Sequence, residues 1–122
     1  MENDLIVVTG ICASGKTTLV NGLKELGYHA RSVAQEHSHA PRLWSLRNPE
    51  FLVVLDCDYE AVRQRRRVSY GPDRVDDQRQ RLAHAREHCD LYLKVDDLFS
   101  EEVRDRVVRE IEKKRRRRSE VG

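Results

Sequence analysis

Leu5-Ile6-Val7-Val8-Thr9-Gly10-Ile11-Cys12-Ala13-Ser14-Gly15-Lys16-Thr17-Thr18 is the stretch that decides how this chain folds. Leu5–Val8 is a continuous apolar run rich in β-branched residues. A strand with one wetted face would alternate; an unbroken run reads as a strand buried on both faces, as in a parallel sheet. From Lys16 the period changes. Leu19, Val20, Leu23 and Leu26 fall at i, i+1, i+4 and i+7, one face of a helix.

Beyond this unit the alternation of strand and helix continues. Tyr28–Val33 reads as a second strand. Gln35–Glu50 has no clear period and is punctuated by Pro41 and Pro49, with room for a short helix around Arg42–Arg47. Phe51–Leu55 is a second unbroken apolar run and another buried strand. Asp58 is placed to cap a helix from Tyr59 to about Val68, which Tyr70-Gly71-Pro72-Asp73 breaks. Asp76 is placed to cap the next helix, to about Cys89. Leu91–Val95 alternates as a strand, and Ser100 is placed to cap a last helix with Val103, Val107 and Ile111 on one face. The pattern predicts a single-domain α/β fold, with a short, mainly parallel sheet (strands at about 5–9, 28–33, 51–55 and 91–95) and flanking helices.

Composition narrows the class. The 122 residues are 36% charged and 39% hydrophobic, enough for one domain with a real core. No apolar run approaches the roughly 18 residues of a membrane span, so no membrane partner is expected. Met1-Glu2-Asn3-Asp4 lacks the basic start of a signal peptide. Cys12, Cys57 and Cys89 are odd in number and have no CxxC spacing, which suits a reducing, cytoplasmic setting. Subtracting the six cations of Lys113–Arg118 from the net charge of +2 leaves −4 on the remainder. Contact with nucleic acid is therefore expected only through this basic tail, and no aromatic residues are interleaved there for base stacking.

Gly10-Ile11-Cys12-Ala13-Ser14-Gly15-Lys16-Thr17 matches GxxxxGK[ST] at every fixed position. With Gly near 7% of residues, a chance match in a chain this long is on the order of a few in a thousand. Gly10 and Gly15 let the backbone turn so that successive N–H groups, including those of Ala13, Ser14, Gly15, Thr17 and Thr18, surround a phosphate. Lys16 carries a mobile charge to the β- and γ-phosphates, and the Thr17 hydroxyl is the expected Mg²⁺ ligand. Lys16 is expected to be exposed at the sheet's C-terminal edge, so that its removal costs affinity and leaves the fold intact. Cys12 reads as a small filler of the loop.

On these residues the chain resembles the nucleoside- and small-molecule-kinase branch of the P-loop NTPases over roughly residues 4–112. Three further pieces carry the resemblance. Phe51–Asp56 followed by Cys57–Val62 is similar to a strand leading into a lid helix. Arg63–Asp77 is similar to a compact basic lid. His88–Leu93 through Asp97–Val103 is similar to a closing strand and helix, and the resemblance implies that the intervening loop, at Asp97, lies beside an adenine. It further implies a nucleotide-binding domain at 1–112, a basic tail at 113–122, and Mg·ATP as the nucleotide. Only the seventeen residues Ala34–Glu50 stand where such kinases place a substrate-binding segment and a Walker B strand, which implies a pared-down member with a reduced or absent acceptor site. Asp56 ends an apolar run as a Walker B acid would, or serves as a salt-bridge partner.

The remaining candidates are side chains. Arg63, Arg66 and Arg67 fall at i, i+3 and i+4 on one helical face, while Arg65 points elsewhere. Such a face is suited to charge on a transferring phosphoryl group, and Arg63 and Arg67 also to bound nucleotide. Arg74 and Arg79 rank behind them. Glu36 and His37 follow the second strand at its C-terminal end, where open α/β sheets bind ligands, and are candidates to accept an acceptor's proton. His39 and Trp44 share that loop; the tryptophan covers a ligand or packs the loop. Together the residues point to a minimal kinase that transfers the γ-phosphoryl group of Mg·ATP to a small-molecule or nucleotide acceptor. The alternative is a nucleotide-binding regulatory module or weak NTPase.

Overall fold

The computed structural model describes residues 4–11, 14–65 and 71–121. Four strands, β1 (Ile6–Gly10), β2 (Ala30–Ser32), β3 (Phe51–Asp56) and β4 (Leu91–Lys94), form one all-parallel sheet in the order 2-1-3-4. The two unbroken apolar runs become the two central strands, paired from Ile6 with Phe51 to Gly10 with Leu55. Five helices surround them: α1 (Lys16–Glu25), α2 (Tyr59–Arg65), α3 (Pro72–Arg81), α4 (Ala83–His88) and α5 (Ser100–Val121). Two short 3₁₀ turns, Gln35–His37 and Leu43–Ser45, lie between β2 and β3.

Side-chain alternation along the strands divides the core. Ile6, Val8, Phe51, Val53 and Leu55 join Leu19, Val20 and Leu23 of α1 and Val103, Val107 and Ile111 of α5. Leu5, Val7, Leu52 and Val54 turn the other way, toward Ala85 of α4, Trp44 and Tyr92. Both faces are covered, which is why the central strands carry no polar alternation. No helix among the described residues is long and apolar enough to cross a membrane.

Several boundaries differ from expectation for identifiable reasons. The second strand shortens to Ala30–Ser32, and only Ala30 is buried. Leu26 lies past the last turn of α1 and is exposed, not on the core face. The expected helix at Arg42–Arg47 is only the 3₁₀ turn Leu43–Ser45. Asp76 does not cap a helix: α3 starts earlier, at Pro72, whose missing N–H and fixed φ suit a first helical position. The segment to Cys89 divides at Leu82 into α3 and α4. At α5 the cap moves back one residue from Ser100. The Phe99 carbonyl accepts the Val103 N–H (3.1 Å), and Glu102 Oε1 accepts the Phe99 N–H (3.1 Å).

The basic tail is the continuation of α5. Lys114 Nζ donates to the Glu50 carbonyl (2.5 Å) and to Asp90 Oδ1 (2.8 Å). Arg115 Nε donates to Glu50 Oε1 (2.7 Å), and Arg118 Nη1 lies 3.4 Å from Glu50 Oε2. The Glu50 side chain is only 7% exposed, so these cations compensate a nearly buried carboxylate. Lys114, Arg115 and Arg118 are thereby engaged, while Lys113, Arg116 and Arg117 are exposed.

Candidate functional site

The loop after β1 is closed by backbone alone. Gly10 has φ +154°, and a Cβ there would stand 2.3 Å from the Leu55 carbonyl oxygen of the neighbouring strand. Glycine is therefore required for β1 to pair with β3 up to its last residue. The Ile11 N–H then donates to Leu55 O (3.1 Å), and the Ser14 N–H to Ile11 O (3.0 Å). Gly15, at φ +96°, caps α1 without a side-chain bond, and among the described residues other than its chain neighbours no atom lies within 4 Å of where its Cβ would be. The first turn of α1 holds no acidic residue, so no side chain of that turn offsets the positive end of the helix. Thr17 and Thr18 are exposed on this turn, and Ser14 is buried beneath it. Cys12 and Ala13 lie outside the described residues.

Lys16 turns back over the loop. Its Nζ donates to the Gly10 carbonyl (3.0 Å) and to Glu36 Oε2. The side chains of Lys16 and Glu36 are 16% and 3% exposed, so this pair sits largely out of water. Lys16 is thus largely covered, not exposed as expected, and its removal would strand a buried carboxylate. His37 Nε2 lies 3.7 Å from the same Glu36 oxygen. Burial, and then the positive charges of Lys16, Arg81 and Arg74, hold the His37 imidazole below its ordinary pKa and favour its neutral form.

Glu36 is held by a residue that sequence reading passed over. Gln35 is fully buried; its Oε1 accepts the Trp44 N–H (3.0 Å) and its Nε2 donates to Ala40 O (2.7 Å) and Arg81 O (3.3 Å). The carboxamide ties the irregular loop to α3, and Arg81 Nη1 adds a bond to Glu36 O (3.3 Å). The only early signal was a long polar loop with little apolar content to anchor it. Trp44 is its packing residue: Nε1–H donates to His84 Nδ1 (3.1 Å), and the ring lies against His84 and His88 of α4.

Asp56 serves structure. It is 5% exposed, accepts Arg79 Nε (3.3 Å) and receives the Tyr92 hydroxyl. Burial and that bond push the Tyr92 phenol up to about 12. Arg79 also donates to Cys57 O (3.0 Å), which makes it a brace between α3 and β3. Arg63 is exposed on α2; Arg66 and Arg67 lie outside the described residues, as does the side chain of Arg65.

Two clefts bear on these residues. One, of about 260 Å³, is lined by Ser14, Gly15 and Thr18 on one side and by Leu98, Phe99 and Val103 on the other. Phe99 is 75% exposed there, while Asp97 is exposed in the preceding turn and does not line the cleft. The second, of about 350 Å³, lies between the residues after His37 and the last turn of α3. Among the described residues, Ser14 Oγ, Glu36 Oε1 and Asp96 Oδ2 are buried side-chain oxygens without a hydrogen-bond partner, and all three follow the C-terminal end of a strand. No group of three His, Cys, Asp or Glu side chains is arranged to hold a metal among the described residues. No protein-family model matches the chain, and no curated protein sequence matches it.

Proposed function

We propose that the chain binds Mg·ATP on the Gly10–Thr18 loop and transfers its γ-phosphoryl group to a small acceptor beside Glu36 and His37. The observation that carries the reading is the meeting of Lys16, the Gly10 carbonyl and buried Glu36 at the mouth of a glycine-bounded loop whose helix has no acid in its first turn. The residues fit the nucleotide. Open space at Gly15 and the unpartnered Ser14 hydroxyl are what a phosphate held by loop N–H groups requires. The Thr17 hydroxyl would hold Mg²⁺, and the cleft at Leu98 and Phe99 offers apolar surface for a base.

Mg·ATP supplies an activated phosphoryl group and the metal's charge. The chain's own part is positioning and neutralisation. Lys16 exchanges Glu36 for phosphate oxygens. The Glu36 carboxylate, released from the lysine, faces the acceptor side. His37, kept neutral, takes the proton that an acceptor hydroxyl gives up. Arg63, exposed on α2, would add positive charge.

A second reading, a nucleotide-binding module or weak NTPase, draws support from Asp56. Its engagement by Arg79 and Tyr92 ties up the carboxylate at the end of β3. The experiment is calorimetry with Mg·ATP, followed by labelled ATP incubated with sugars, sugar phosphates, nucleosides and a 5′-hydroxyl oligonucleotide. Transfer to an acceptor supports the kinase. Free phosphate alone supports a hydrolase, and binding without turnover supports the module. Absence of ATP binding at millimolar concentration sinks the whole reading.

A further inference from the structure

The cleft beside Glu36 is lined by Ser38, His39, Pro41, Asp77, Gln80 and Arg81. Its position follows from bonds already described. Ser38 and His39 directly follow His37, and Arg81 Nη1 donates to the Glu36 carbonyl, so the cleft shares a wall with the residue that holds Lys16. Two features of its lining restrict what fits.

The first is charge. Asp77 and Arg81 are four residues apart on α3, a spacing at which opposite charges commonly pair across about 5–6 Å. Here they do not pair. Asp77 has no ion-pair or hydrogen-bond partner among the described residues, and the one bond made by the Arg81 guanidinium is that to Glu36 O. An anion and a cation, one helical turn apart, both face the same cavity. The second feature is that none of the described residues lining it is Phe, Tyr or Trp. Trp44, in the same loop, is occupied by His84 and His88, whereas the cleft beside Gly15 has Phe99. A surface for a flat base is thus present in one cleft and missing from the other.

We infer that this cleft binds a small, polyhydroxylated, non-aromatic compound bearing both a cationic and an anionic group, of the amino-sugar phosphate type. Asp77 takes the ammonium, Arg81 the anionic group, and Ser38, His39 and Gln80 the hydroxyls. The inference rests on the phosphoryl-transfer reading only in treating this compound as the acceptor; binding itself needs no nucleotide. A nucleoside acceptor is disfavoured, because the unpaired charges would meet none of its own.

The test is calorimetry on the full chain without nucleotide, with D-glucosamine 6-phosphate, D-glucose 6-phosphate, D-glucosamine and cytidine as probes. The doubly charged probe should bind about tenfold more tightly than either singly charged one, a factor equivalent to about 1.4 kcal/mol. Asp77→Asn, at an exposed position, should erase the advantage of glucosamine 6-phosphate over glucose 6-phosphate and leave its advantage over glucosamine. Arg81→Gln should do the reverse. Melting curves identify a variant that fails to fold, and the Asn variant suffices if the Gln variant does. Equal binding of all probes, tighter binding of cytidine, no binding, or indifference to Asp77→Asn would each overturn the assignment. Mg·ATP binding without probe binding removes this inference alone; probe binding without Mg·ATP binding removes the nucleotide reading alone.

Discussion

Replacing Lys16 by methionine should destabilise the protein before any ligand is considered. A pair on the surface contributes about 0–1 kcal/mol, so its loss would pass unnoticed. The Lys16–Glu36 pair is not on the surface: Glu36 is 3% exposed in its side chain, and its other oxygen has no partner. Removing one member of a buried pair typically costs about 3–5 kcal/mol, because an uncompensated charge remains. Lys16 is itself 16% exposed, so water relieves part of the loss and the lower end, about 3 kcal/mol, is expected. At about 4 °C per kcal/mol for a domain of this size, the melting temperature should fall by about 12 °C. Glu36→Gln alone should cost about 1 kcal/mol or less, and the double variant should recover most of the loss. Urea unfolding at pH 7, followed by the fluorescence of Trp44, measures all four corners of the cycle. A coupling of about 2 kcal/mol or more is expected. A single Lys16→Met variant within about 0.5 kcal/mol of the parent, or a double variant no better than the single, would refute the reasoning.

Gly10→Ala should cost about 3 kcal/mol, since its Cβ would meet the Leu55 carbonyl at 2.3 Å, whereas Gly15→Ala, with open space around it, should cost about 1–2 kcal/mol of backbone strain; equal losses in urea unfolding would contradict this. Removing residues 113–122 should cost about 3 kcal/mol by unpairing Glu50, and should leave the Mg·ATP affinity of the folded protein unchanged by calorimetry. On the acid side, His37 and His84 are both held low, chiefly by burial. The unfolded chain therefore binds more protons than the native one below about pH 6.5, and melting temperature should fall as pH drops through that value. On the alkaline side, Tyr28 and Tyr92 are raised to about 12, by burial and then by bonds to Glu112 and Asp56. Their contribution should be whole below about pH 10, where unfolded tyrosine titrates, and lost between that pH and about 12; a flat stability profile across this window would count against both bonds.

The sheet was legible because its strands are written redundantly. Leu5–Val8 and Phe51–Leu55 are unbroken apolar runs, and their shortness and β-branched content mark strands covered on both faces. The glycine-bounded turn after β1 was legible for a related reason: Gly10 and Gly15 occupy positions where other side chains meet a carbonyl or a strained φ. What escaped were bonds between residues far apart in sequence. Nothing near Gln35 announces that its amide will join Trp44, Ala40 and Arg81. Nothing near Glu50 announces that Arg115 and Arg118 will reach it from the last helix. The partition of Asp56 to Arg79 and Tyr92, and of Lys16 to Glu36, is equally non-local. Such pairings are settled by which side chains the sheet order brings together, and that order is not encoded in any one window of the chain.

The parallel sheet gives the molecule two ends of unlike character. At the N-terminal ends of the strands the charges are matched: Asp4 with His29, Glu50 with Arg115 and Arg118, Asp90 with Lys114, and Tyr28 with Glu112. At the opposite end stand the loop, Glu36 and each of the buried oxygens without a partner. Strands of this length hold the two ends roughly 17–20 Å apart, beyond the distance at which substitutions usually interfere with one another. Robustness and the proposed activity are therefore separable by address. The chain can be hardened against heat or mutation through its N-terminal rim, by stronger pairs around Glu50 for instance, without altering the C-terminal rim, and the reserve so gained is available to destabilising changes made there in search of a new specificity.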